Sequence, residues 1–525
     1  MLPTPITVNE LAPLLKRYDH DKAQYLLNGF TEGFPIHLEN TPISKISYRN
    51  HASALSKPGV VDAMLQIELN QHRIAGPFDR APLPNLVVSP LGLREKREPN
   101  KFRLIHDLSF NEDFSVNRNI PREFCSVSYE TLDDYCSIIK QCGVGALMAK
   151  ADIESAFRLI PIHPKNHNLL GFSWKGKLYY DQSLPMGLSE SCRIFETFST
   201  SIQWILQNIY QIKWVSHLLD DFLFCGPKDT HTCYDSLANF EHLCKKVNIP
   251  IKHSKTVHPT TLMEAHGIEI DSRCMELRLP KDKLVTCKQL LTNLFNCKRA
   301  TLLQLQSVLG HLNFACKAIV PGRAFLRRII HLTLGLTKPH HHVRITEQAR
   351  ADINVWFQFL ETFNGRSLFL NDTWISSSTL CMYTDAAGSL GYAAVFGSHW
   401  FAHPWQDDLA IREITYKELF PIVLALEIWG HLLRNNRIIF RTDNQAVVAI
   451  INKQTSKDIH VMVLVRRLVS SALKFNIQFK AEHIYGYTNV VADKLSRLKF
   501  QEARDYAPWL DPDQTVIAQN THPQS

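Results

Sequence analysis

The adjacent carboxylates Asp220 and Asp221 constrain the fold of this chain more than any other feature. They lie in the run KWVSHLLDDFLFCG, where apolar residues on both sides predict two short buried strands that meet at the acids. Two ionised carboxylates side by side repel each other and are costly beside a hydrophobic core. A divalent cation offsets this cost, and such oxygen ligands select Mg²⁺ or Mn²⁺. The alternative is a polar hairpin tip, since acids are common in turns.

A third carboxylate, Asp152, follows an upstream apolar strand. It lies in GVGALMAKADIESAFRLIPIHP, residues 143–164, which predicts a strand that ends at the acid and then a tight bend. If Asp152 joined Asp220 around two metal ions, the site would suit in-line phosphoryl transfer. One ion would activate the attacking hydroxyl, and the other would hold the leaving pyrophosphate.

Taken in order, these motifs resemble those of the reverse transcriptases of retroelements. That family has an Asp followed five positions later by an aromatic, then LPxGL, then an xxDD hairpin. Here they are Asp152 with Phe157, the run LPMGL at 184–188, and Leu218 to Asp221. The resemblance implies an α+β right-hand polymerase with fingers, palm and thumb. It also implies a catalytic site with two Mg²⁺ ions, Mn²⁺ being possible, held by Asp152, Ile153, Asp220 and Asp221.

A basic run upstream, SPLGLREKREPNKFRLIHDLS at 89–109, predicts a hairpin around Pro99 and Asn100. By resemblance it is the fingers segment, in which Lys96 and Arg103 grip the incoming triphosphate. A solvated basic loop is the alternative for this stretch alone. The resemblance further implies that Phe157 packs under the deoxyribose and clashes with a 2′-hydroxyl. The nucleotide-binding residues that it implies are Lys96, Arg103, Phe157, Met186, Gly187 and Lys255.

Two positions depart from the family pattern. The family usually carries an aromatic where this chain has Leu218, and Phe or Gln where it has Met186. Neither position supplies a metal ligand. The departures therefore concern primer positioning, fidelity and nucleotide affinity rather than the reaction.

The C-terminal quarter carries a second set of acids on predicted strand ends and helix starts. Their order and context resemble type 1 ribonuclease H, which implies an α/β domain with a mixed five-stranded sheet. The implied two-metal ligands are Asp385, Glu418, Asp443 and Asp493, and the implied loop histidine that helps product leave is His483, ten positions before Asp493.

Each of these residues also has a structural alternative. Glu418 fits a capping box, and Pro421 predicts a kink or a late helix start. Asp443-Asn444 could be a helix N-cap, and Asp493 could be a surface acid. A single His483 is more often structural than catalytic.

Composition supports a nucleic-acid partner and a reducing compartment. The chain has 58 Lys and Arg against 50 Asp and Glu, a net charge of +8, which suits a polyanion. Its 12 cysteines form no CxxC pair, so no zinc knuckle or disulfide framework is indicated. Without a signal peptide or an apolar run of spanning length, we expect an intracellular protein of the cytoplasm or nucleus that does not engage membranes.

Sequence punctuation predicts five segments. They are a helical N-terminal extension (1–75), fingers and palm (76–275), a thumb or connection (276–374), the ribonuclease H-like domain (375–498) and a loosely ordered tail (499–525). In the thumb segment, Arg323, Arg327 and Arg328 could contact duplex phosphates, and a solvated helix face is the alternative.

These observations predict an RNA-directed DNA polymerase of a retrotransposon with ribonuclease H activity. Its partners would be an RNA template, a DNA primer, the RNA–DNA hybrid and deoxynucleoside triphosphates. Three stretches (SVLGHLNFACKAIVPGRAFLRR, YTDAAGSLGYAAVF and HIYGYTNVVADKLSR) resemble the tyrosine-recombinase retrotransposons of the DIRS type. In that case, separate element-encoded proteins supply the other functions. A decayed or host-retained copy that binds nucleic acid without catalysis is the alternative, although its seven catalytic acids are intact. A DNA-templated polymerase is a third hypothesis.

Overall fold

The chain forms two compact units. The computed structural model describes residues 2–40, 48–96, 100–111, 115–362, 366–367, 381–433, 437–475 and 477–516. Unit 1 comprises Met1–His266 and Ile270–Met275, and unit 2 comprises Gly267–Glu269 and Glu276–Ser525. Within the described residues, no helix is both long and apolar enough to cross a lipid bilayer.

Unit 1 is a mixed unit of helices and antiparallel strands. Its helices are α1 (Val8–Leu14), α2 (His20–Glu32), α3 (Ala52–Leu55), α4 (Pro58–Asn70), α5 (Arg122–Cys125), α6 (Leu132–Cys142), α7 (Ser191–Asn208) and α8 (Thr232–Val247). Its strands are β1 (Ile74–Phe78), β2 (Leu91–Glu95), β3 (Phe102–His106), β4 (Leu147–Asp152), β5 (Gly171–Trp174), β6 (Lys177–Asp181), β7 (Val215–Leu218), β8 (Asp221–Gly226), β9 (Val257–Thr260) and β10 (Leu262–Ala265), and β11 (Ile268–Asp271) spans the division.

A four-stranded sheet in the order β7-β8-β4-β9 lies at the centre of unit 1. All of its paired strands are antiparallel. Phe222 and Phe224 of β8 are fully buried and pack against Phe240 of α8, with ring centroids 4.8 and 5.4 Å apart. The alternating apolar residues after the Asp pair therefore build the core beneath the acids.

The described residues before β1 are mainly helical and belong to unit 1. Leu11 and Phe34 are completely buried in the same core as the central sheet. The ring of Phe30 lies 5.0 Å from that of Phe198 in α7. Helix α4 instead packs with Ile74 and Phe172 in a second, smaller core under β1, β6 and β5. Apolar burial thus integrates this segment into unit 1.

The basic run forms the predicted hairpin. β2 and β3 pair antiparallel, with Leu93 opposite Leu104 and Arg94 opposite Arg103. Residues 97–99, which include Arg97 and Pro99 of the predicted turn, lie outside the described residues. The two leucines pack against the smaller core, which fixes which face of the hairpin is buried.

Unit 2 has a mainly helical first part and a second part built on a five-stranded sheet. Its helices are α9 (Lys281–Asn296), α10 (Leu302–Ala315), α11 (Arg327–His331), α12 (Glu347–Thr362), α13 (Asp407–Ala410), α14 (Ile414–Trp429), α15 (Gln445–Lys453), α16 (Ile459–Lys474), α17 (Val490–Ser496) and α18 (Phe500–Tyr506). Its strands are β12 (Glu276–Arg278), β13 (Arg299–Thr301), β14 (His342–Arg344), β15 (Arg366–Ser367), β16 (Cys381–Ala386), β17 (Gly391–Phe396), β18 (His399–Pro404), β19 (Arg437–Thr442) and β20 (Gln478–His483).

The sheet order β18-β17-β16-β19-β20 confirms the predicted mixed five-stranded sheet. β16, β17 and β18 pair antiparallel, whereas β16, β19 and β20 pair parallel. Helix α14 is continuous through Pro421, so a late start at the proline is wrong. Leu419 and Ile422, on either side of the proline, are completely buried. This packing offsets the hydrogen bond that proline removes, about 3 kcal/mol.

An aspartate in α12 joins helices from the two parts of unit 2. Asp352 is almost fully buried and lies 3.1 Å from Arg328 of α11 and 3.3 Å from Arg466 of α16. The charge of Arg328, which the sequence offered as a phosphate contact, is therefore engaged inside the protein. Burial raises the pKa of Asp352 to about 6 even though Arg466 and Arg328 favour its ionised form.

Residues 500–516, expected to be loosely ordered, carry α18 and pack on the five-stranded sheet. Ala503, Ala507 and Leu510 are buried in one cluster with Trp400 of β18. The backbone N–H groups of Asp511 and Thr515 donate to the carbonyls of Ser398 and Trp400 at 2.9 and 2.8 Å. Because the segment is polar in composition, the sequence analysis missed three apolar residues whose spacing allows them to be buried together.

Candidate active sites

The first site lies where β4 meets the hairpin of β7 and β8. Asp152 and Asp221 are direct partners across β4 and β8. Asp220 lies in the intervening turn, and its carbonyl accepts a hydrogen bond from the Ile153 N–H at 3.0 Å. Asp152 is only 3% exposed, and Asp220 is half-buried. A solvated hairpin tip is therefore not what forms here.

The turn that carries Asp220 is held from helix α7. Leu219 adopts a left-handed backbone with φ of 53°, which is unfavourable for a residue with a branched side chain. Its N–H donates to the carboxylate of Glu196 at 3.2 Å. Glu196 lies 3.2 Å from His217 of β7. These contacts fix the turn so that Asp220 faces Asp152.

Two lysines balance the charge of this cluster. Lys255 lies 2.7 Å from Asp152, and Lys150 lies 2.9 Å from Asp221. Burial raises the pKa of Asp152 despite Lys255. Burial, with Asp152 and Asp221 nearby, raises the pKa of Asp220 to about 6. One oxygen of Asp221, Oδ1, is buried without a hydrogen-bond partner, so these carboxylates fit a cation.

A cavity of about 430 Å³ in unit 1 brings most of the predicted polymerase residues together. The predicted residues that line it are Lys96, Arg103, Asp152, Ile153, Phe157, Met186, Asp220 and Lys255. Phe157 is half-buried, and its ring packs edge-on against Phe195 at 5.6 Å. Phe157 also lines the cavity.

Gly187 does not line the cavity but fixes the loop that carries Met186. Its φ is 137°, and a Cβ there would come within 1.9 Å of the carbonyl oxygen of His106. The N–H of His106 in turn donates to the Met186 carbonyl at 3.1 Å. Only glycine permits this approach between the loop and the fingers hairpin.

The sequence analysis missed a network in the same cavity wall. Arg158 lies 2.8 Å from Asp181 and 2.9 Å from Glu68, and it also donates to the backbone carbonyl of Ser183 at 3.1 Å. His106 contacts the other oxygen of Asp181 at 2.9 Å. These carboxylates and carbonyls occupy the donors of Arg158. Arg158, which follows Phe157 in the chain, therefore holds the end of β6 at Asp181 rather than binding a phosphate. No local signal marks these partners, since Glu68 precedes Arg158 by 90 positions.

The second site gathers three acids of unit 2. Carboxylate oxygens of Asp385, Glu418 and Asp443 all lie within 4.8 Å of one another. The parallel pairing of β16 and β19 sets Tyr383 beside Arg441, two residues before Asp385 and Asp443. Asp385 and Glu418 are 7% and 6% exposed, and Asp443 is the least buried.

The capping-box alternative for Glu418 is wrong, and the helix N-cap predicted at Asp443-Asn444 forms at Asn444. Helix α14 begins after Glu413, so Glu418 lies in the second turn and caps nothing. Asn444, and not Asp443, caps α15, through a bond from the Val447 N–H at 3.1 Å. Both acids are thereby left to face Asp385.

Burial disfavours the ionised form of the acids in this cluster. Burial, reinforced by Asp385 and Asp443, raises the pKa of Glu418 to about 9. Burial also raises the pKa of Asp385 to about 6, although the Ser496 hydroxyl donates to it. The Oε2 atom of Glu418 is buried without a hydrogen-bond partner. These are the properties of ligands that fit a divalent cation.

Asp493 and His483 flank the three acids. Asp493 lies in α17, outside the close cluster, and accepts a hydrogen bond from Arg497 at 2.8 Å. It acts on Asp385 as a nearby negative charge. His483 ends β20, and its Nε2 lies 3.1 Å from the backbone oxygen of Asp443. The structure thus places all five predicted nuclease residues around one edge of the sheet.

Comparison with known proteins identifies the fold. No family model matches the chain. Protein P of duck hepatitis B virus (strain China) is 28% identical over 239 residues, which cover 44% of this chain and 28% of that protein. Protein P of heron hepatitis B virus is 27% identical over 240 residues, with the same coverage of 44% and 28%. The matched segment therefore spans little more than a quarter of these relatives.

Solved structures match along nearly the whole chain. The foamy viral protease-reverse transcriptase in complex with double-stranded DNA gives a TM-score of 0.51 at 14% identity and covers 92% of this chain and 98% of that chain. Its complex with an RNA/DNA hybrid gives 0.51 at 13% identity and covers 100% and 66%. The fold of this chain is therefore the reverse transcriptase fold with a ribonuclease H-like domain, as the sequence predicted.

Proposed function

We propose that the chain is an RNA-directed DNA polymerase that also cleaves the RNA strand of RNA–DNA hybrids. The cavity of unit 1 carries this proposal, because Asp152 and Asp220 face Lys96, Arg103 and Phe157 across it. Acids for metal ions, cations for a triphosphate and an aromatic for a sugar are the groups that nucleotide addition needs. The acidic cluster of unit 2 supports the second activity.

Asp152, Asp220 and Asp221, next to Ile153, would hold the ions at the polymerase site. Bound Mg²⁺ would supply activation of the primer hydroxyl and stabilisation of the pyrophosphate. Lys96 and Arg103 would then neutralise the triphosphate. The rigid turn at Leu219 keeps Asp220 in place, so little reorganisation is needed when a nucleotide enters.

At the nuclease site, Asp385, Glu418 and Asp443 would hold the ions and Asp493 would complete the acidic edge. Mg²⁺ bound there would supply an activated water against the RNA backbone. His483, fixed beside the Asp443 carbonyl, is placed to assist departure of the product. The substrate is a hybrid because the 2′-hydroxyl distinguishes RNA from DNA.

The relatives support the proposed partners and origin. The structures that share the fold are complexes with double-stranded DNA and with an RNA/DNA hybrid. We extend this to an RNA template, a DNA primer and deoxynucleoside triphosphates. The three stretches that resemble DIRS-type elements support a retrotransposon origin, with synthesis inside the cell and other functions on separate proteins.

Primer extension on poly(rA)/oligo(dT) with Mg²⁺ tests the polymerase, and cleavage of an RNA-labelled hybrid tests the nuclease. We expect both activities from the purified chain, and chelation of Mg²⁺ should abolish both. If the chain binds the hybrid but neither extends nor cleaves, it is a nucleic-acid-binding copy without catalysis and the proposal fails.

A further inference from the structure

Two tyrosines project from the loop that follows His483. Tyr485 and Tyr487 are 65% and 78% exposed. Their rings stack nearly parallel, with centroids 5.5 Å apart and an interplanar angle of 12°. The His483 ring meets Tyr485 edge-on at 5.8 Å. Two large aromatic side chains therefore lie together on an exposed surface.

The loop that carries the two rings is fixed against the acidic cluster. Gly486 lies between them, and a Cβ there would be 3.0 Å from Oδ2 of Asp443. The Thr488 N–H closes the turn on the Tyr485 carbonyl at 2.8 Å. Asn489, only 2% exposed, donates to the carbonyl of Thr384, next to Asp385. The rings are thus held at a set position beside the nuclease acids.

We propose that Tyr485 and Tyr487 form a contact surface for the RNA–DNA hybrid at the edge of the nuclease site. This inference rests on the proposed nuclease function and adds a substrate-positioning surface to it. A stacked, prealigned pair loses little freedom on binding, and each tyrosine offers an apolar face and a hydroxyl.

The hybrid is the occupant because the surface is continuous with the acids that would cut it. Because Gly486 lies against Asp443, a duplex that brings a phosphate to Asp443 comes close to the loop that carries the two rings. Ribose rings of the minor groove can pack on aromatic rings, and phenol hydroxyls bond to phosphate or 2′-hydroxyl oxygens. The two tyrosines would therefore act on binding and register, not on the chemical step.

The test compares variants of the full chain in hybrid cleavage. The double substitution Tyr485→Ala and Tyr487→Ala should raise KM for a short hybrid about tenfold, by loss of the ring and hydroxyl contacts, while kcat stays near the wild-type value. The double Phe variant should restore most of the KM. Tyr506→Ala, at a tyrosine of α18 that is 56% exposed, is the matched control and should change neither constant.

A photo-crosslinking residue at position 487 gives a second readout that does not depend on cleavage. It should label the hybrid more than a DNA duplex of the same sequence. An unchanged KM in the double Ala variant, or equal labelling of hybrid and DNA duplex, would overturn the inference. If the wild-type chain does not cleave the hybrid, the nuclease proposal fails instead, and the crosslink alone decides the contact.

Discussion

The two acidic clusters both bring carboxylates close together, but the repulsion between these carboxylates is offset in different ways. In unit 1, Lys255 and Lys150 each lie within 3 Å of an aspartate of the cluster. In unit 2, no ion pair with Lys or Arg involves Asp385, Glu418 or Asp443 within the described residues. The acids of unit 1 are therefore partly neutralised by the chain itself, whereas the acids of unit 2 need a proton or a cation.

This difference predicts a difference in how the sites respond to metal and pH. A cation that binds the nuclease cluster must displace the proton that Glu418 retains to about pH 9. At the polymerase site, the nearest competitor of a cation is the ammonium group of Lys255. We therefore expect the nuclease to lose Mg²⁺ sooner than the polymerase as pH falls.

The largest effect should come from replacing one acid at each site. Asp220→Asn keeps shape but removes charge, and it should reduce extension by at least about a hundredfold while cleavage continues. Asp443→Asn should show the mirror image. Both activities are measured on one primed RNA template. A single substitution that removed both in well-folded protein would refute two independent sites.

The next largest effect concerns stability without metal. The pKa of Glu418 is raised in the folded state, so the folded state retains a proton that the unfolded chain has lost. The free energy of unfolding should therefore fall by about 1.4 kcal/mol for each pH unit as pH rises from 6 towards about 9, roughly 4 kcal/mol in all. Glu418→Gln should remove this fall and abolish cleavage. Denaturant unfolding with chelator measures it, and Glu413→Gln, at the start of the same helix, is the control.

A smaller effect should follow removal of one lysine. Lys255→Met leaves Asp152 without its cation, which raises the pKa of that carboxyl further. Extension should then fall about tenfold near neutral pH and recover at higher pH, and hybrid cleavage should be unaffected. Lys246→Met, at an exposed position of α8, controls for lost charge. If the pH profile of extension is unchanged, Lys255 does not control the ionisation of Asp152.

The smallest effect concerns which sugar each site accepts. The polymerase site must reject the 2′-hydroxyl that the nuclease site must recognise. Phe157→Val should raise ribonucleotide incorporation several-fold with little change in deoxyribonucleotide incorporation, because it removes the ring that borders the cavity. Competition between the two nucleotides measures it, with Phe110→Val, an exposed ring in unit 1, as control. Unaltered discrimination in folded protein would make Phe157 a core residue only.

The sequence predicted what local patterns encode and missed what only tertiary contact creates. Apolar runs around Asp220 and at Asp152 predicted the strands that hold them, because strand ends and turns are written in neighbouring residues. Lys150 could have been noticed, as a charge within an apolar strand. The partner of Arg158 could not, because Glu68 lies 90 positions away. Helix α1 was separated from the core that it enters for the same reason.

The carboxylate of Asp352 has a consequence for inheritance. A nuclease segment that begins near residue 375 carries Arg466 but leaves behind the acid that binds it 3.3 Å away. Such a segment transferred alone would bring a guanidinium without its carboxylate partner. We therefore expect successful exchanges in evolution to carry helix α12 together with the five-stranded sheet.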